Sequence, residues 1–254
     1  MVSEKDRGLK PYSKTDYPML TEPKFIRFKF RKVGDLQFIS HRDLLSVMTK
    51  IFVRAKATLW YSKGFNPHAK LIFALPLSVG VQSECEYLDV RVERAIPPSE
   101  LMEHINAEVT EELRFIDAYY PETALEDIYW AEYDFEIGTE GADENMASEI
   151  EGLLTAEQVI ILKKAKDKHE KIYFKEVDIA PYVRDVSVKF DGGLIKINAK
   201  LSASINQTHP HINPENIVTM LKDKLGILSG DVMREQYDII RTKIYFEDGK
   251  TDFR

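Results

Sequence analysis

A strand with strict alternation of apolar and polar positions is the first element that the pattern predicts. In residues 24–32, Ile26, Phe28 and Phe30 share one face, and the intervening residues share the other. A helix is predicted next, because Ser40 is a suitable N-cap and apolar residues follow at helical spacing to about residue 57. Asp43, three residues after Ser40, completes a pair that resembles a capping box.

The rest of the first half continues this alternation of strands and helices. Strands are predicted at 71–77, 86–92 and 113–119, and Pro97-Pro98 opens a short helix before the last of them. The order is β-α-β-β-α-β, the ferredoxin-like pattern, in which helices cover one face of an antiparallel sheet.

The second half repeats that order of elements without repeating the residues. The predicted segments are strand 129–137, helix 143–154, strand 158–163, hairpin 186–190 with 194–201, helix 213–226 and strand 237–246. The predicted fold class is therefore α+β, with two tandem ferredoxin-like domains, each an antiparallel sheet with helices on one face. The predicted boundaries are a polar arm at 1–22, domains at 23–121 and 128–247, and a tail at 248–254.

Composition excludes several classes of protein. Of the 254 residues, 44% are hydrophobic and 30% are charged, as in ordinary globular proteins. The single Cys85 excludes an internal disulfide framework and any cysteine-ligated zinc or iron–sulfur cluster. No apolar run approaches the roughly 20 residues that span a bilayer, and the N-terminus has no signal-peptide core. We therefore expect a cytoplasmic protein with no membrane partner.

Charge is distributed unevenly along the chain. The net charge is −7, yet residues 24–70 contain eleven Lys and Arg against two Asp. A basic segment inside an acidic protein indicates a local site for an anion. Phosphate-binding glycine loops and metal-binding helix motifs are missing, and His209 and His211 form a pair without a third ligand, so neither a cofactor nor a metal is expected.

The polar face of the first strand and the loop 61–70 have the composition of an RNA-binding surface. Cations neutralise phosphates, and aromatic rings stack on unpaired bases. In the loop, Gly64 allows close backbone approach and Asn66 can bond a base edge, while His41 and Arg42 lie at a helix N-terminus that favours anions. The candidate nucleic-acid-binding residues are Phe25, Arg27, Lys29, Arg31, His41, Arg42, Tyr61, Lys63, Gly64, Phe65, Asn66, His68 and Lys70. Alternatively, the second domain packs on this strand face and its acids pair with the arginines.

Three motifs together resemble a known family. They are FISHRDL at 38–44, YSKGFNPH at 61–68 and PLSVG at 76–80. This combination resembles the radical-SAM-linked proteins, bacterial domains of unknown function that are fused to, or encoded beside, a cobalamin-binding-type radical-SAM protein. The resemblance implies an accessory role beside such an enzyme. The chain cannot itself be the radical-SAM catalyst, because it has no three-cysteine cluster motif.

Three functions are compatible with these features. The first is an RNA-binding accessory protein that acts with a radical-SAM enzyme in RNA modification or processing. The second is a metal-independent enzyme that cleaves or modifies RNA, with His41 or His68 as the acid–base group. The third is a protein adaptor whose basic segment binds an acidic patch on the radical-SAM partner. The sequence favours the first and leaves the identity of the RNA and the oligomeric state open.

Overall fold

The chain folds into two compact α+β units. The computed structural model describes residues 16–166, 170–204, 211–230 and 235–254. Unit 1 contains the residues up to Leu125 together with Arg254, and unit 2 is Glu126–Phe253. The predicted α+β class is confirmed, because each unit combines helices with an antiparallel sheet. Of the predicted arm at 1–22, only residues 16–22 lie in the described part.

Unit 1 contains four strands and two helices in its described residues. They are β1 (Met19–Lys32), α1 (His41–Arg54), β2 (Leu71–Phe73), β3 (Val81–Arg94), α2 (Pro98–Asn106) and β4 (Phe115–Tyr119). The strand order within the unit is β4-β1-β3-β2, and all neighbours are antiparallel. β1 therefore lies between β3 and β4, and residues of both strands flank its polar face.

The apolar face of β1 forms the core of unit 1. Ile26, Phe28 and Phe30 are fully buried and belong to one cluster with the buried residues of α1 and α2. The Phe28 ring meets the rings of Phe52 and Phe115 edge-on, with centroids 5.6 and 5.5 Å apart. The inward direction predicted for this face is confirmed.

Helix α1 begins as predicted and ends earlier. The Ser40 hydroxyl accepts a hydrogen bond from the Asp43 backbone amide at 3.2 Å, which confirms the predicted cap. The helix ends at Arg54, before the predicted residue 57, because Lys56 adopts a left-handed φ of 57°.

Two strands of unit 1 differ in length from the prediction. β2 ends at Phe73 instead of residue 77, since Pro76 has no amide hydrogen with which to continue a ladder. β3 runs from Val81 to Arg94, because pairing with β1 extends beyond the alternating segment at 86–92.

Unit 2 contains six strands and two helices in its described residues. They are β5 (Trp130–Gly138), α3 (Glu144–Leu154), β6 (Ile160–Lys166), β7 (Ile172–Asp178), β8 (Val183–Asp191), β9 (Leu194–Ser202), α4 (Glu215–Leu225) and β10 (Gln236–Tyr245). The main sheet has the order β10-β5-β9-β8, again antiparallel. β6 and β7 form a separate two-stranded sheet. The sequence did not predict β7, because it follows a lysine-rich stretch and its apolar residues face solvent rather than a core.

The expected tail at 248–254 is folded back. Phe253 is buried and its ring lies 5.2 Å from that of Phe246. Asp252 forms a β-bridge with Tyr245. A buried aromatic ring therefore holds the last residues in place. None of the helices in the described residues is long and apolar enough to cross a membrane.

Candidate nucleic-acid interface

Arg27 is buried and is not available to a phosphate. Its guanidinium makes two hydrogen bonds to the Asp89 carboxylate, at 2.7 and 2.9 Å, and a third to the Thr123 hydroxyl at 2.9 Å. Only 1% of Arg27 is exposed. The prediction that Arg27 faces outward to contact RNA is wrong, because a cross-strand carboxylate on β3 and a loop hydroxyl satisfy its charge.

Burial near Arg27 also changes the pKa of a neighbouring tyrosine. Tyr119 lies opposite Arg27 on β4. Burial raises the pKa of Tyr119 to about 12, even though the positive charge of Arg27 acts in the opposite direction. The centre of this sheet face is therefore a structural ion-pair site rather than a surface for binding anions.

The other residues on the polar face of β1 remain partly exposed. The Lys29 ammonium lies 5.8 Å from the centroid of the Tyr87 ring. Arg31 donates a hydrogen bond to the Glu111 carbonyl at 2.7 Å, which fixes its guanidinium without neutralising its charge. Phe25 lies 5.8 Å below the guanidinium of Arg91 on β3. Lys29, Arg31 and Phe25 can therefore contact a ligand at the edges of this face.

Arg91 and Trp60 extend the candidate surface on unit 1. Neither is among the candidate nucleic-acid-binding residues that the sequence indicated. The Arg91 guanidinium lies 4.5 Å from the centroid of Trp60 and also faces Phe25. Its Nε atom is buried and has no hydrogen-bond partner among the described residues. The Trp60 amide donates a hydrogen bond to the Arg91 carbonyl at 2.8 Å, and the Arg91 amide donates to the Lys70 carbonyl at 3.1 Å, so both ends of the loop are held against β3. Trp60 could have been found as an aromatic residue directly before the basic loop. We call Phe25, Arg91 and Trp60 the aromatic–arginine stack.

The loop at 61–70 has a fixed backbone. Tyr61 and Ala69 form a β-bridge, and the Ser62 amide donates to the His68 carbonyl at 2.9 Å. The His68 amide donates in return to the Ser62 hydroxyl at 3.1 Å. Gly64 adopts a φ of +145°, which L side chains rarely adopt. The loop is therefore ordered by its own hydrogen bonds.

The loop brings most of the predicted residues together. Phe65 stands at the loop tip with a relative exposure of 110%, as high as a phenylalanine in an extended peptide. The other exposed members of the predicted set in this loop are Tyr61, Lys63, Gly64, Asn66, His68 and Lys70. A fully exposed aromatic ring flanked by cations is typical of a surface that binds a ligand.

The two candidate acid–base histidines occupy different settings. Nδ1 of His68 lies 2.9 Å from the Ser62 hydroxyl and 3.2 Å from the Asn66 carbonyl, so this atom holds the loop closed. His41 is exposed at the start of α1 and its ring meets Phe73 edge-on at 5.0 Å. Arg42 beside it is exposed as well. Ser40 and Asp43 serve as the cap of this helix.

The main sheet of unit 2 carries carboxylates that other side chains already satisfy. The Asn198 amide donates to Glu132 at 3.0 Å and to Asp134 at 2.7 Å. Burial acts to raise the pKa of Glu132, but hydrogen bonds from Tyr245 and Asn198 hold it below its usual value. A surface with ionised carboxylates repels phosphate, so the basic surface of unit 1 is the better candidate for an anionic ligand.

No group of three or more His, Cys, Asp or Glu side chains in the part of the chain that the structure describes could hold a metal ion. His209, one member of the predicted histidine pair, lies outside the described residues. Cys85, the single cysteine of the chain, is buried in β3. The chemistry available at the candidate interface is therefore that of cations, aromatic rings and two exposed imidazoles.

Comparison with known proteins identifies a family. A comparison with curated proteins found no match to this chain. The chain is similar to a solved structure, "Crystal Structure of an Unknown Protein from Galdieria sulphuraria", with 8% identity and a TM-score of 0.25 over 87% of this chain and 99% of that one. The family model described as "Uncharacterized protein conserved in bacteria (DUF2344)" matches residues 26–214, which include Arg27, Lys29 and Arg31 of β1 and the loop at 61–70. Because this match covers most of the sequence, the chain belongs to that family of bacterial proteins.

Proposed function

We propose that this chain is an RNA-binding accessory protein that holds unpaired nucleotides on the loop at 61–70 and on the aromatic–arginine stack. The observation that carries this proposal is the exposure of Phe65 at the tip of a loop closed by hydrogen bonds. Stacking on a base removes the ring from water, and any base can provide the stacking partner.

The charges around Phe65 favour a polyanion. Lys63 and Lys70 are exposed, and no acidic residue occurs between 61 and 70. Each lysine that contacts a phosphate releases counterions from the nucleic acid, and this release favours binding at low salt. Because the loop backbone is already ordered, little conformational entropy is lost when RNA binds.

The geometry favours single strands over duplexes. Phe65, Trp60 and Phe25 offer their rings to unpaired bases, whereas the bases of a duplex are already stacked on one another. Asn66, exposed beside Phe65, carries an amide that can donate to and accept from a base edge. The proposed ligand is therefore a loop, bulge or end of a structured RNA.

The proposed partner is a radical-SAM enzyme. Support for this partner comes from the combination of motifs at 38–44, 61–68 and 76–80. This chain would bind the RNA, and the partner would supply the iron–sulfur cluster that a single buried cysteine cannot hold. The reaction on the RNA would then belong to the partner.

The fold proposed for both units is the ferredoxin-like one. Its support is the strand order β4-β1-β3-β2 in unit 1 and the corresponding order β10-β5-β9-β8 in unit 2. In each unit the first and last strands are neighbours, and a helix follows the first and third strands. Unit 2 would differ by an inserted hairpin, β6-β7, between its first helix and its second strand.

The test is fluorescence anisotropy of a labelled uridine-rich single-stranded RNA with the purified chain. We expect Phe65→Ala to weaken binding about tenfold, within the range of about 1–3 kcal/mol per stacked base. Tyr237→Ala, which removes an exposed aromatic ring from unit 2, is the matched control and should leave the affinity unchanged. Equal affinity of Phe65→Ala and the unmodified chain would contradict the proposed surface.

A further inference from the structure

Arg91 carries a charge that no carboxylate of the described residues neutralises. Its guanidinium contacts the rings of Trp60 and Phe25, with centroids at 4.5 and 5.8 Å. In the part of the chain that the structure describes, its side chain makes no hydrogen bond or ion pair. Its Nε atom is buried, although the side chain as a whole is partly exposed. A partly desolvated guanidinium without a partner favours the arrival of an anion, because charged hydrogen bonds then replace those lost to water.

Lys70 lies beside Arg91 on the same face of the sheet. Leu71 pairs with Val90, and both belong to the packing of the core of unit 1. Lys70 and Arg91 occupy the next positions, where the Arg91 amide donates a hydrogen bond to the Lys70 carbonyl at 3.1 Å. Because side chains alternate along strands, both cationic side chains point away from the core. Lys70 is exposed and forms no ion pair with any residue that the structure describes.

Trp60 shares this face with the two cations. The Lys70 amide donates a hydrogen bond to the Trp60 carbonyl at 3.3 Å, so the two ends of the loop at 61–70 are paired. Leu59, directly before Trp60, is buried in the core of unit 1, and alternation therefore turns Trp60 to the opposite face. Like charges on neighbouring strands destabilise a sheet. An anion bound between Lys70 and Arg91 would relieve that repulsion.

Two carboxylates lie on the same face of β3 as Arg91, one on each side of it. Asp89 accepts two hydrogen bonds from the Arg27 guanidinium, at 2.7 and 2.9 Å, so its charge is already compensated. Glu93 is partly exposed and forms no ion pair with Arg91 or Lys70. The two cations therefore outnumber the one uncompensated carboxylate beside them, and the charge at the base of the loop stays positive.

We propose that Arg91 and Lys70 bind the terminal phosphate of an RNA end. A terminal phosphate carries a charge of about −1.5 to −2 at neutral pH and three free oxygens. The planar guanidinium of Arg91 donates two parallel hydrogen bonds to such a group, and Lys70 neutralises the remaining charge. An internal phosphate carries a single negative charge, so it matches two adjacent cations less well. This assignment rests on the proposed RNA-binding function and narrows the ligand from any unpaired segment to an end.

The test is competition by unlabelled RNAs against the labelled uridine-rich RNA, measured by fluorescence anisotropy with the full chain. Three competitors share one uridine-rich sequence and carry a 5′-phosphate, a 3′-phosphate or hydroxyls at both ends. We expect one phosphorylated RNA to bind about tenfold more tightly than the hydroxyl form, as charged hydrogen bonds allow. Arg91→Gln and Lys70→Gln should each reduce this preference to less than about threefold. Lys189→Gln, at an exposed lysine of unit 2, is the control and should leave the preference unchanged.

Equal affinity of the three RNAs would overturn the terminal-phosphate site and leave the proposed RNA binding intact. A preference that persists in both Arg91→Gln and Lys70→Gln would also overturn it, because the phosphate would then bind elsewhere. Binding of none of the RNAs would contradict the proposed function instead, and titration calorimetry with uridine monophosphate and uridine then tests the phosphate site alone. Tighter binding of the nucleotide, reduced in Lys70→Gln, would support the site, whereas equal binding of nucleotide and nucleoside would exclude it.

Discussion

Arg27, Lys29 and Arg31 lie on the same face of one strand, but their surroundings differ. Arg27 is enclosed with Asp89 and Thr123, whereas Lys29 contacts a ring and Arg31 bonds a carbonyl. A buried ion pair holds its arginine for structural reasons, because removing one partner leaves the other charge buried and unpaired. Basic residues that alternate along one strand face therefore have different roles.

Arg27→Ala should destabilise unit 1 by about 3–5 kcal/mol, because the Asp89 carboxylate would remain buried without its partner. Lys29→Ala, on the same face but partly exposed, should cost less than about 1 kcal/mol. Urea unfolding followed by circular dichroism measures both. A similar midpoint for the two variants would show that the Arg27–Asp89 pair does not stabilise the fold.

Gly249→Ala should also destabilise the chain. A Cβ atom there would lie 1.4 Å from Nη2 of Arg184, which stacks on Trp130, and the residue has a φ of +62°. We expect this clash to displace Arg184. The resulting loss of stability adds to the roughly 1–2 kcal/mol that an alanine costs in the left-handed conformation. Gly192→Ala, with φ of +61° and open space around it, is the control and should show the backbone cost alone. Thermal unfolding with Trp fluorescence separates the two effects, and equal losses would rule out the clash.

At the scale of elements, local hydrogen bonds order the short segments that connect strands. The Ser62–His68 bonds close the basic loop, and the Asp248 carboxylate accepts bonds from the Lys250 and Thr251 amides, each at 2.9 Å. The Thr251 hydroxyl adds a bond at 2.6 Å. Such side-chain to backbone bonds form turns without burial of apolar surface.

The Asp248 turn should contribute stability that depends on pH. The hydrogen bond from Thr251, helped by the backbone amides, lowers the pKa of Asp248 to about 2 from an ordinary 3.8. The folded state therefore favours the carboxylate, so the stabilisation is complete above pH 4 and disappears as pH falls towards 2. In Asp248→Asn this part of the pH dependence should be absent. Urea midpoints between pH 2 and 5 measure it, and parallel profiles for the two proteins would contradict the assignment.

The elements also show where the sequence pattern predicts structure and where it does not. Alternation and helical spacing correctly indicated β1 and the buried stripe of α1, because one face of each is buried in a core. The pattern missed β7, whose apolar residues Ile172 and Phe174 face solvent. Hydrophobic periodicity reports burial, so an exposed hairpin has no such signal.

At the scale of the whole molecule, positive charge is concentrated on part of unit 1 although the chain carries −7 overall. Burial of Arg27 and Lys32 removes two of the eleven basic residues of segment 24–70 from the surface. The remaining cations include the lysines of the basic loop. Electrostatic attraction of RNA should therefore be local and modest.

RNA affinity should fall with salt in proportion to the few phosphates contacted. With about three lysine or arginine contacts, a slope near −0.7 per phosphate predicts about a 20-fold loss between 50 and 200 mM salt. The double substitution Lys63→Ala and Lys70→Ala should reduce the slope by about 1.4. Lys189→Ala on unit 2 is the control. A steeper slope that the double substitution does not change would place the phosphates elsewhere.

Local patterns along the chain were sufficient to predict the α+β class, the inward face of β1, the Ser40 cap and the collection of basic and aromatic residues in one loop. Each of these depends on neighbours within a few positions of one another, so local periodicity and turn chemistry reveal them. Three features became visible only in the folded chain: Arg27 is buried against Asp89, 62 positions away, Trp60 stacks on Arg91, and Phe65 is exposed to solvent. Such contacts join distant segments, and the sequence pattern does not record which segments meet or which side chains remain exposed.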